Sequence, residues 1–124
     1  MIGLGWGLGV VADQEKCPRD EAVLAFRKRR WSQGIPPKEP SQIQPHLVIN
    51  PESHFPFTVR TAVAWLADQI EDGIELQKVI LRFPPGQVAW ELVCDLPPNL
   101  KPLYAKFVVK GGTVILRSFH PSER

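Results

Sequence analysis

The stretch that decides the fold is residues 76–120, where four segments read LQKVILRF (76–83), VAWELVCDL (88–96), LYAKFVVK (103–110) and TVILRSFH (113–120). β-Branched and aromatic residues fill these segments, whereas the gaps between them are rich in proline and glycine. Such an arrangement is typical of short strands joined by hairpin turns. The sequence therefore predicts a four-stranded antiparallel meander in the last third of the chain.

The gap between the last two segments is Gly111 and Gly112 alone, and this pair predicts the register of the final hairpin. A two-residue primed turn needs a positive φ at both positions, which glycine adopts without strain. Counting outward from this turn, and through the two earlier gaps, gives the expected neighbours. They are Lys110 with Thr113, Val109 with Val114, Val108 with Ile115, Phe107 with Leu116, Lys106 with Arg117, Ala105 with Ser118, Tyr104 with Phe119, Leu103 with His120, Leu96 with Leu103, and Phe83 with Val88.

Successive side chains of a strand point to opposite faces, so this register sorts the four strands onto an apolar and a polar face. The apolar face is predicted to carry Val79, Leu81, Phe83, Val88, Trp90, Leu92, Cys94, Leu96, Leu103, Ala105, Phe107, Val109, Val114 and Leu116. The polar face is predicted to carry Lys78, Arg82, Glu91, Asp95, Tyr104, Lys106, Lys110 and Arg117. Because a slip of one residue would destroy this sorting, its consistency supports the strand assignment.

An amphipathic helix is predicted just before the meander, in residues 58–72. Its apolar residues recur at helical spacing on one stripe, which carries Val59, Ala62, Val63, Leu66 and Ile70. Thr58 suits the N-cap, and Gly73 suits the position where a helix ends. We therefore expect an α+β fold in which this helix packs on the apolar face of the meander.

Residues 1–45 differ in character from the rest of the chain, and we interpret them as an N-terminal arm and a proline-rich linker. Residues 17–31 predict a short helix, because proline and acidic residues come early and basic residues come late. The four prolines in residues 32–45 predict an extended connector. The expected compact core is then residues 46–124, where residues 47–49 would add a short edge strand.

Composition narrows the classes of function. The formal net charge is only +2, so nucleic-acid binding would need a local concentration of cations. Cys17 and Cys94 lack the spacing of a metal site, and Cys94 falls on the apolar face as a small buried residue, so we expect no metal and no cofactor. Residues 1–12 are too short to span a bilayer and lack the cationic start of a secretory signal. We therefore expect a cytoplasmic protein with no membrane contact.

The basic run RKRRW at residues 27–31 has two interpretations. Its cations can clamp a phosphate backbone while the indole of Trp31 stacks on a base. Alternatively, the run is a solvated helix end whose positive charges complement the carbonyl groups of the last turn. The sequence leaves both interpretations open.

The polar face also has two interpretations. Mixed charge on the outer face of an antiparallel sheet is common and requires no function. Clustered cations beside Tyr104 are, however, what phosphodiester chemistry needs, because cations stabilise the extra negative charge of the transition state. His120 ends the last strand, nominally on the apolar side, and is either a general acid swung round to the rim or a strand-end residue without a chemical role.

Three segments resemble the C-terminal half of the MqsR-type toxins, which are bacterial ribonucleases of the RelE-like fold paired with an antitoxin. Residues 88–94 contain a tryptophan followed by a polar residue, residues 102–109 resemble the strand pattern V-Y-x-K, and residues 114–120 end in S-F-H. The resemblance covers about residues 59–120, since residues 59–61 are also similar to the family's segment at the start of the helix.

The resemblance implies metal-independent cleavage of single-stranded RNA by attack of a 2′-hydroxyl group. The implied roles are a base or orienting group at Glu91, phosphate binding at Tyr104 and Lys106, charge stabilisation at Arg82 and Arg117, and proton donation to the leaving 5′-oxygen by His120. Lys78 would be a further RNA contact. Glu91 stands where the family has an amide, which departs from the family pattern.

The implied partners are RNA and an antitoxin protein, with the N-terminal arm as a further contact for a protein partner. A different class of function is a non-catalytic interaction module, or an accessory subunit of a larger assembly. The apolar residues 1–10, the proline-rich linker and the small net charge favour this alternative.

Overall fold

Two helices and a five-stranded mixed sheet make up the part of the chain that a computed structural model describes, residues 16–34 and 41–123. The helices are α1 (Arg19–Arg27) and α2 (Val59–Glu71), and a short 3-10 helix spans Pro45–Leu47. The strands are β1 (Trp31–Gln33), β2 (Gln77–Ile80), β3 (Val88–Cys94), β4 (Leu103–Lys110) and β5 (Thr113–Pro121). The order across the sheet is β1-β5-β4-β3-β2, and only the pairing of β1 with β5 is parallel. The predicted α+β class and the antiparallel meander are confirmed.

The main core lies between the two helices and one surface of the sheet, which we call the helix face; the opposite surface is the open face. From β3 onward, every residue predicted for the apolar face belongs to this core. These residues are Val88, Trp90, Leu92, Cys94, Leu96, Leu103, Ala105, Phe107, Val109, Val114 and Leu116. Cys94 pairs with Leu103, although Leu96 was the predicted partner. The shift is two residues, an even number, so it leaves every side chain of β3 on its predicted face.

The two faces of strand β2 are exchanged relative to the prediction, although its direction is the predicted one. Ile80 pairs with Val88 where Phe83 was expected, and this shift of three residues is odd, so it exchanges the two faces of the strand. Lys78 therefore lies opposite Trp90 on the helix face, and Val79 lies opposite Ala89 on the open face. The cause is the connection, which begins at residue 81 and extends through residue 87 instead of being confined to residues 84–87.

The edge strand beside β5 is also not the predicted one. Residues 47–49 form no strand; Pro45–Leu47 is a 3-10 helix and Ile49 makes an isolated bridge with Pro56. The edge is instead formed by β1, which lies within the stretch expected to be helix end and linker. The backbone N–H of Val114 donates to the carbonyl of Arg30, and the backbone N–H of Gly34 donates to the carbonyl of Leu116. Backbone hydrogen bonds therefore hold the short strand at both ends.

Helix α2 begins and ends close to where the sequence predicts. The Thr58 hydroxyl accepts a hydrogen bond from the backbone of Thr61, and the Thr61 hydroxyl accepts one from the backbone of Thr58. This reciprocal capping box satisfies donors that the first helical turn leaves without partners. Gly73 follows the helix with a φ of 94°, which favours glycine.

Helix α1 is tied to the rest of the fold by three charged side chains. Arg19 donates to the carbonyls of Ile70 and Ile74, and so caps the C-terminal end of α2. Arg27 forms ion pairs with Asp68 and Glu71 of α2, and its guanidinium group lowers the pKa of Glu71. Glu21 has a different partner; it accepts from the backbone N–H of Gly112 in the β4–β5 turn, at 2.8 Å.

The described part of residues 1–45 shares the core of residues 46–123. Ala22, Ala25 and Phe26 of α1 are each at most 3% exposed, and the ring of Phe26 meets that of Phe107 edge-on at 5.7 Å. Helix α1 and strand β1, which precede the predicted boundary near residue 46, therefore pack with the core. The predicted contact of the N-terminal arm with a protein partner was based on its apolar residues 1–10, which lie outside the described residues.

We expect a fragment of residues 46–124 to be unable to fold cooperatively, because it lacks α1 and β1 and exposes the apolar surface that they cover. Circular dichroism melts of the fragment and the full chain, each at several protein concentrations, measure this. A cooperative transition near that of the full chain would show instead that the predicted boundary separates two folding units.

The C-terminal end of α1 carries an arginine in a conformation that glycine prefers. Arg29 has a φ of 60°, and Arg30 donates to the carbonyl of Ala25, as in a Schellman motif. We expect Arg29→Gly to raise the free energy of unfolding by about 1 kcal/mol, because a left-handed conformation is unfavourable for a residue with a Cβ. Urea denaturation measures this. The control is Lys28→Gly, where φ is −92° and a loss of stability is expected instead; equal effects of the two changes would contradict the explanation.

Candidate active site

A bulge in β5 decides which side chains meet on the open face. The hairpin follows the predicted register from Lys110–Thr113 as far as Phe107 and Leu116, but Lys106 then pairs with Ser118. Arg117 is the additional residue and has no opposite neighbour on β4. Because one residue is inserted, the remainder of β5 has its faces exchanged relative to a regular strand. The predicted pairs Lys106–Arg117, Ala105–Ser118, Tyr104–Phe119 and Leu103–His120 are therefore wrong.

Burial of Phe119 provides the physical reason for the bulge. Its side chain is 0% exposed, and its ring makes edge contacts with Phe57 at 5.2 Å and with Trp65 at 6.5 Å. A regular register would place this ring on the open face, and full burial of such a side chain contributes about 1.5–3 kcal/mol. On the edge of β5 that faces away from β4, the backbone N–H of Phe119 donates to the carbonyl of Gln42, and the carbonyl of Phe119 accepts from the backbone N–H of Gln44.

Three of the four predicted catalytic residues come together on the open face, one from each of three neighbouring strands. Tyr104 of β4 donates its hydroxyl hydrogen to Oε2 of Glu91 on β3, at 2.7 Å. His120 of β5 lies opposite Tyr104, with 5.3 Å between the ring centroids and 44° between the ring planes. His120 is only 9% exposed, while Glu91 and Tyr104 are half-buried. We call these three residues the Tyr104 cluster.

The hydrogen bond of His120 determines which ring nitrogen carries a proton. Nδ1 lies 2.7 Å from the carbonyl oxygen of Pro121. Since a carbonyl oxygen can only accept, Nδ1 must be the protonated nitrogen when the ring is neutral. Nε2 then holds the lone pair, so it is the atom that gains or loses a proton when the ring changes charge.

The predicted cations differ in how close they lie to the Tyr104 cluster. Lys106 has Glu91 and Ser118 as its strand neighbours, so it lies beside the cluster on the open face. Arg117 extends toward the β2–β3 connection, where its Nη2 donates to the carbonyl of Phe83 at 3.1 Å. Arg82 is exposed within the same connection.

Lys78, the third predicted RNA contact, is on the opposite side of the sheet from the cluster, because the register of β2 is reversed. The prediction that it lies on the polar face is wrong. Its register neighbour is the buried Trp90 of the helix face.

Part of the open face is apolar, which the predicted faces did not include. Leu81, Ala89 and Val108 form a second buried cluster, against which Ile115 packs. Leu81 belongs to the β2–β3 connection, so the connection covers this end of the open face. The expected position of Leu81 on the helix face is wrong, and Phe83 is not buried but 77% exposed. The polar end of the open face is thus bounded on one side by an apolar patch.

Sequence reasoning missed Ser118, which the bulge brings to the open face beside Lys106. A signal was present, because the apolar alternation through Val114 and Leu116 stops at Ser118 and resumes one residue later at Phe119. Such a break in period is the pattern that a bulge produces. It would also have placed His120 on the open face.

The two cysteines are free thiols, and both are half-buried. Burial raises the pKa of Cys17 to about 12 and also raises the pKa of Cys94. Both side chains are therefore protonated at neutral pH, which makes them poor nucleophiles.

Within the described ranges, no group of three His, Cys, Asp or Glu side chains is arranged to hold a metal ion. Neither described helix has the length and apolar character needed to cross a bilayer.

No known family, curated protein or solved structure matches the chain. The resemblance to the MqsR-type toxins therefore remains a prediction, and the function of the site has to be inferred from its chemistry.

Gly34 packs directly against the bulge, where a larger residue does not fit. A Cβ at this position would lie 2.7 Å from Cγ2 of Ile115 and 2.8 Å from Cδ of Arg117. We expect Gly34→Ala to lower the free energy of unfolding by about 1–3 kcal/mol, because both side chains must move. Urea denaturation measures this, with the exposed Ser32→Ala of β1 as the control, for which about 0.5 kcal/mol or less is expected. Equal stability of the two variants would show that the bulge is not packed as described.

Proposed function

We propose that the Tyr104 cluster binds and cleaves single-stranded RNA without a metal ion, as the toxin of a toxin–antitoxin pair does. The observation that carries this proposal is the position of His120 beside Tyr104, whose hydroxyl group is hydrogen-bonded to Glu91. A carboxylate, a phenol and an imidazole in one cluster supply the proton acceptor and the proton donor that the reaction needs. Lys106 adds a positive charge at the same place.

The reaction that fits these groups is an internal transfer within RNA. The 2′-oxygen forms a bond to the adjacent phosphorus, and the bond from phosphorus to the 5′-oxygen breaks, which leaves a 2′,3′-cyclic phosphate and a 5′-hydroxyl. One proton leaves the 2′-hydroxyl and one joins the 5′-oxygen. Because the nucleophile belongs to the substrate, the reaction does not depend on a metal-activated water.

We assign the two proton transfers to the two titratable ends of the cluster. Glu91 accepts the proton of the 2′-hydroxyl, or orients Tyr104 for that purpose, since its carboxylate accepts hydrogen bonds on both oxygens. His120 in its charged form donates from Nε2 to the 5′-oxygen, because Nδ1 is held by the carbonyl of Pro121. In this way one carboxylate and one imidazole have complementary roles.

Binding of the phosphate is assigned to Tyr104 and Lys106. Arg117 offsets the additional negative charge of the transition state; its bond to Phe83 uses one of the five N–H groups of the guanidinium. Arg82 contacts the RNA from the exposed connection. Lys78 has no part in this site, since it lies on the helix face.

The proposal implies a cytoplasmic protein whose substrate is RNA and whose protein partner is an antitoxin. A second function, that of a non-catalytic docking module, is favoured by two exposed apolar side chains, one beside Tyr104 and one in the β2–β3 connection. Val93, the register neighbour of Tyr104, is 56% exposed, and Phe83 is 77% exposed. Such side chains are typical of a surface that a protein partner covers.

RNA cleavage in excess chelator tests the proposal. The full chain is expected to cut a labelled single-stranded RNA to products that end in a cyclic phosphate. His120→Ala should lower the rate at least about 100-fold, which is the usual contribution of a general acid. Lys106→Gln should also lower it, because this change removes a charge beside the reacting phosphate, and so should Tyr104→Phe combined with Arg117→Ala.

The matched control is Lys78→Gln, which removes the same charge from the other face of the sheet and should leave the rate unchanged. Absence of cleavage, or cleavage that the combined Tyr104→Phe and Arg117→Ala variant retains, would exclude the enzyme. Growth arrest on expression should disappear with the same open-face changes. A docking module would instead leave RNA intact and would lose partner binding on Val93→Ser.

A further inference from the structure

A basic groove on the helix side of the sheet is separate from the Tyr104 cluster. It lies between the C-terminal end of α1, Trp31 of β1 and the first three turns of α2 as far as Asp68, and has a volume of about 610 Å³. This is within the range of sites that hold small molecules or single residues of a polymer. Trp31 has Val114 as its register neighbour, near the turn of the hairpin, whereas His120 lies toward the other end of β5 on the opposite face.

The charges of the groove are not balanced. Three arginines line it, and one of them, Arg27, is neutralised by Asp68 and Glu71 at 2.9–3.0 Å. The other two, Arg29 and Arg60, have no hydrogen-bond or ion-pair partner within residues 16–34 and 41–123. An anion can therefore bind to these guanidinium groups without first breaking a contact to another of the described residues. Guanidinium groups bind phosphate oxygens through paired N–H bonds.

The backbone at Arg29 directs a second arginine into the groove. Its φ of 60° belongs to the Schellman motif that ends α1. The chain turns at this residue, and the side chain of Arg29 lines the groove.

Beside the arginines, the groove has an apolar side formed by Trp31, Val63 and Ala64. Trp31 is half-buried; it packs against the main core and lines the groove together with Val63 and Ala64. The backbone of Trp31 is paired in β1, and its side chain packs against the main core, which restricts the positions that the indole can adopt. An aromatic ring of this kind offers a stacking surface for a nucleobase.

We propose that this groove binds one nucleotide unit of a single-stranded nucleic acid, with its phosphate between Arg29 and Arg60 and its base against Trp31. Unpaired guanidinium groups beside a fixed aromatic ring match the alternation of charge and flat base along such a strand. None of the groove contacts selects a 2′-hydroxyl group, so the site takes DNA as well as RNA. The proposal does not depend on RNA cleavage by the Tyr104 cluster.

The probe for this site is a fluorescein-labelled single-stranded DNA of twelve thymidines, which has no 2′-hydroxyl and cannot be cleaved by the proposed reaction. Anisotropy titrations of the full chain at low salt should show binding. Arg29→Gly and Arg60→Gln should each raise Kd about fivefold and reduce the dependence of log Kd on log salt by about 0.7. Trp31→Leu should raise Kd at least about fivefold through lost stacking.

Two controls separate the groove from general charge and from the open face. Lys28→Gln removes one positive charge at the same helix end, outside the groove, and should change Kd less than twofold. Lys110→Gln removes one positive charge from the open face, outside the Tyr104 cluster, and should also change Kd less than twofold, which shows that charge on the open face is not being measured. Arg29→Gly is expected to keep or raise the melting temperature, so its weaker binding cannot result from unfolding.

Competition identifies the chemistry of the ligand. Inorganic polyphosphate should displace the probe at least about tenfold less effectively than unlabelled oligonucleotide, because it lacks a base. Thymidine monophosphate should also be about tenfold less effective, because it offers the groove one nucleotide where the oligonucleotide offers twelve. Equal competition by polyphosphate would overturn the stacking of a base, and equal competition by the mononucleotide would overturn the binding of a strand. Absence of binding, or an equal loss in Lys28→Gln and Arg60→Gln, would overturn the proposal as a whole.

Discussion

Burial of Phe119 is the constraint on which the polar end of this sheet depends. The ring fits among Phe57, Trp65 and the rest of the main core only if β5 contains one more residue than β4 between the turn and this position. That additional residue, Arg117, lacks an opposite neighbour, but the cost of one irregular position is smaller than the gain from a fully buried aromatic ring. A consequence of the inserted residue is that His120 lies on the open face, beside Tyr104. The packing of the core thus determines the composition of the candidate active site.

The parity of each register shift explains how much of the fold could be predicted from the sequence. Strand β4 and the turn at Gly111 were predictable because a two-residue glycine turn allows one register. The side chains of β3 lie on their predicted faces because its register differs from the predicted one by an even number of residues. Strand β2 could not be predicted in the same way. The proline-rich connection before β3 does not show by its composition that it begins at residue 81, and an odd shift exchanges all side chains of the strand. Strand β1 is only three residues long and shows no alternation, so its pairing depends on contacts distant in the sequence.

Both the residues of the candidate site and its geometry were only partly predictable. Glu91 and Tyr104 lie on strands whose faces follow from alternation, and their hydrogen bond is consistent with the predicted proximity. The position of His120 required recognition of the bulge, whose sign was the change of period between Leu116 and Phe119. The sequence could not show which arginines of the groove beside Trp31 lack a partner among the described residues, because it does not show which arginine is neutralised. Arg27 finds its carboxylate partners on another helix, and no local pattern distinguishes it from Arg29.

The bulge in β5 and the residues that it brings together are the central feature of the candidate active site. Nuclear Overhauser effects between the aromatic protons of the full chain measure these contacts in solution. We expect cross-peaks between the rings of Tyr104 and His120, whose centroids are 5.3 Å apart, and between the rings of Phe119 and Phe57, at 5.2 Å. Cross-peaks between Tyr104 and Phe119, without those from Tyr104 to His120, would correspond to a regular strand and would contradict the presence of the bulge.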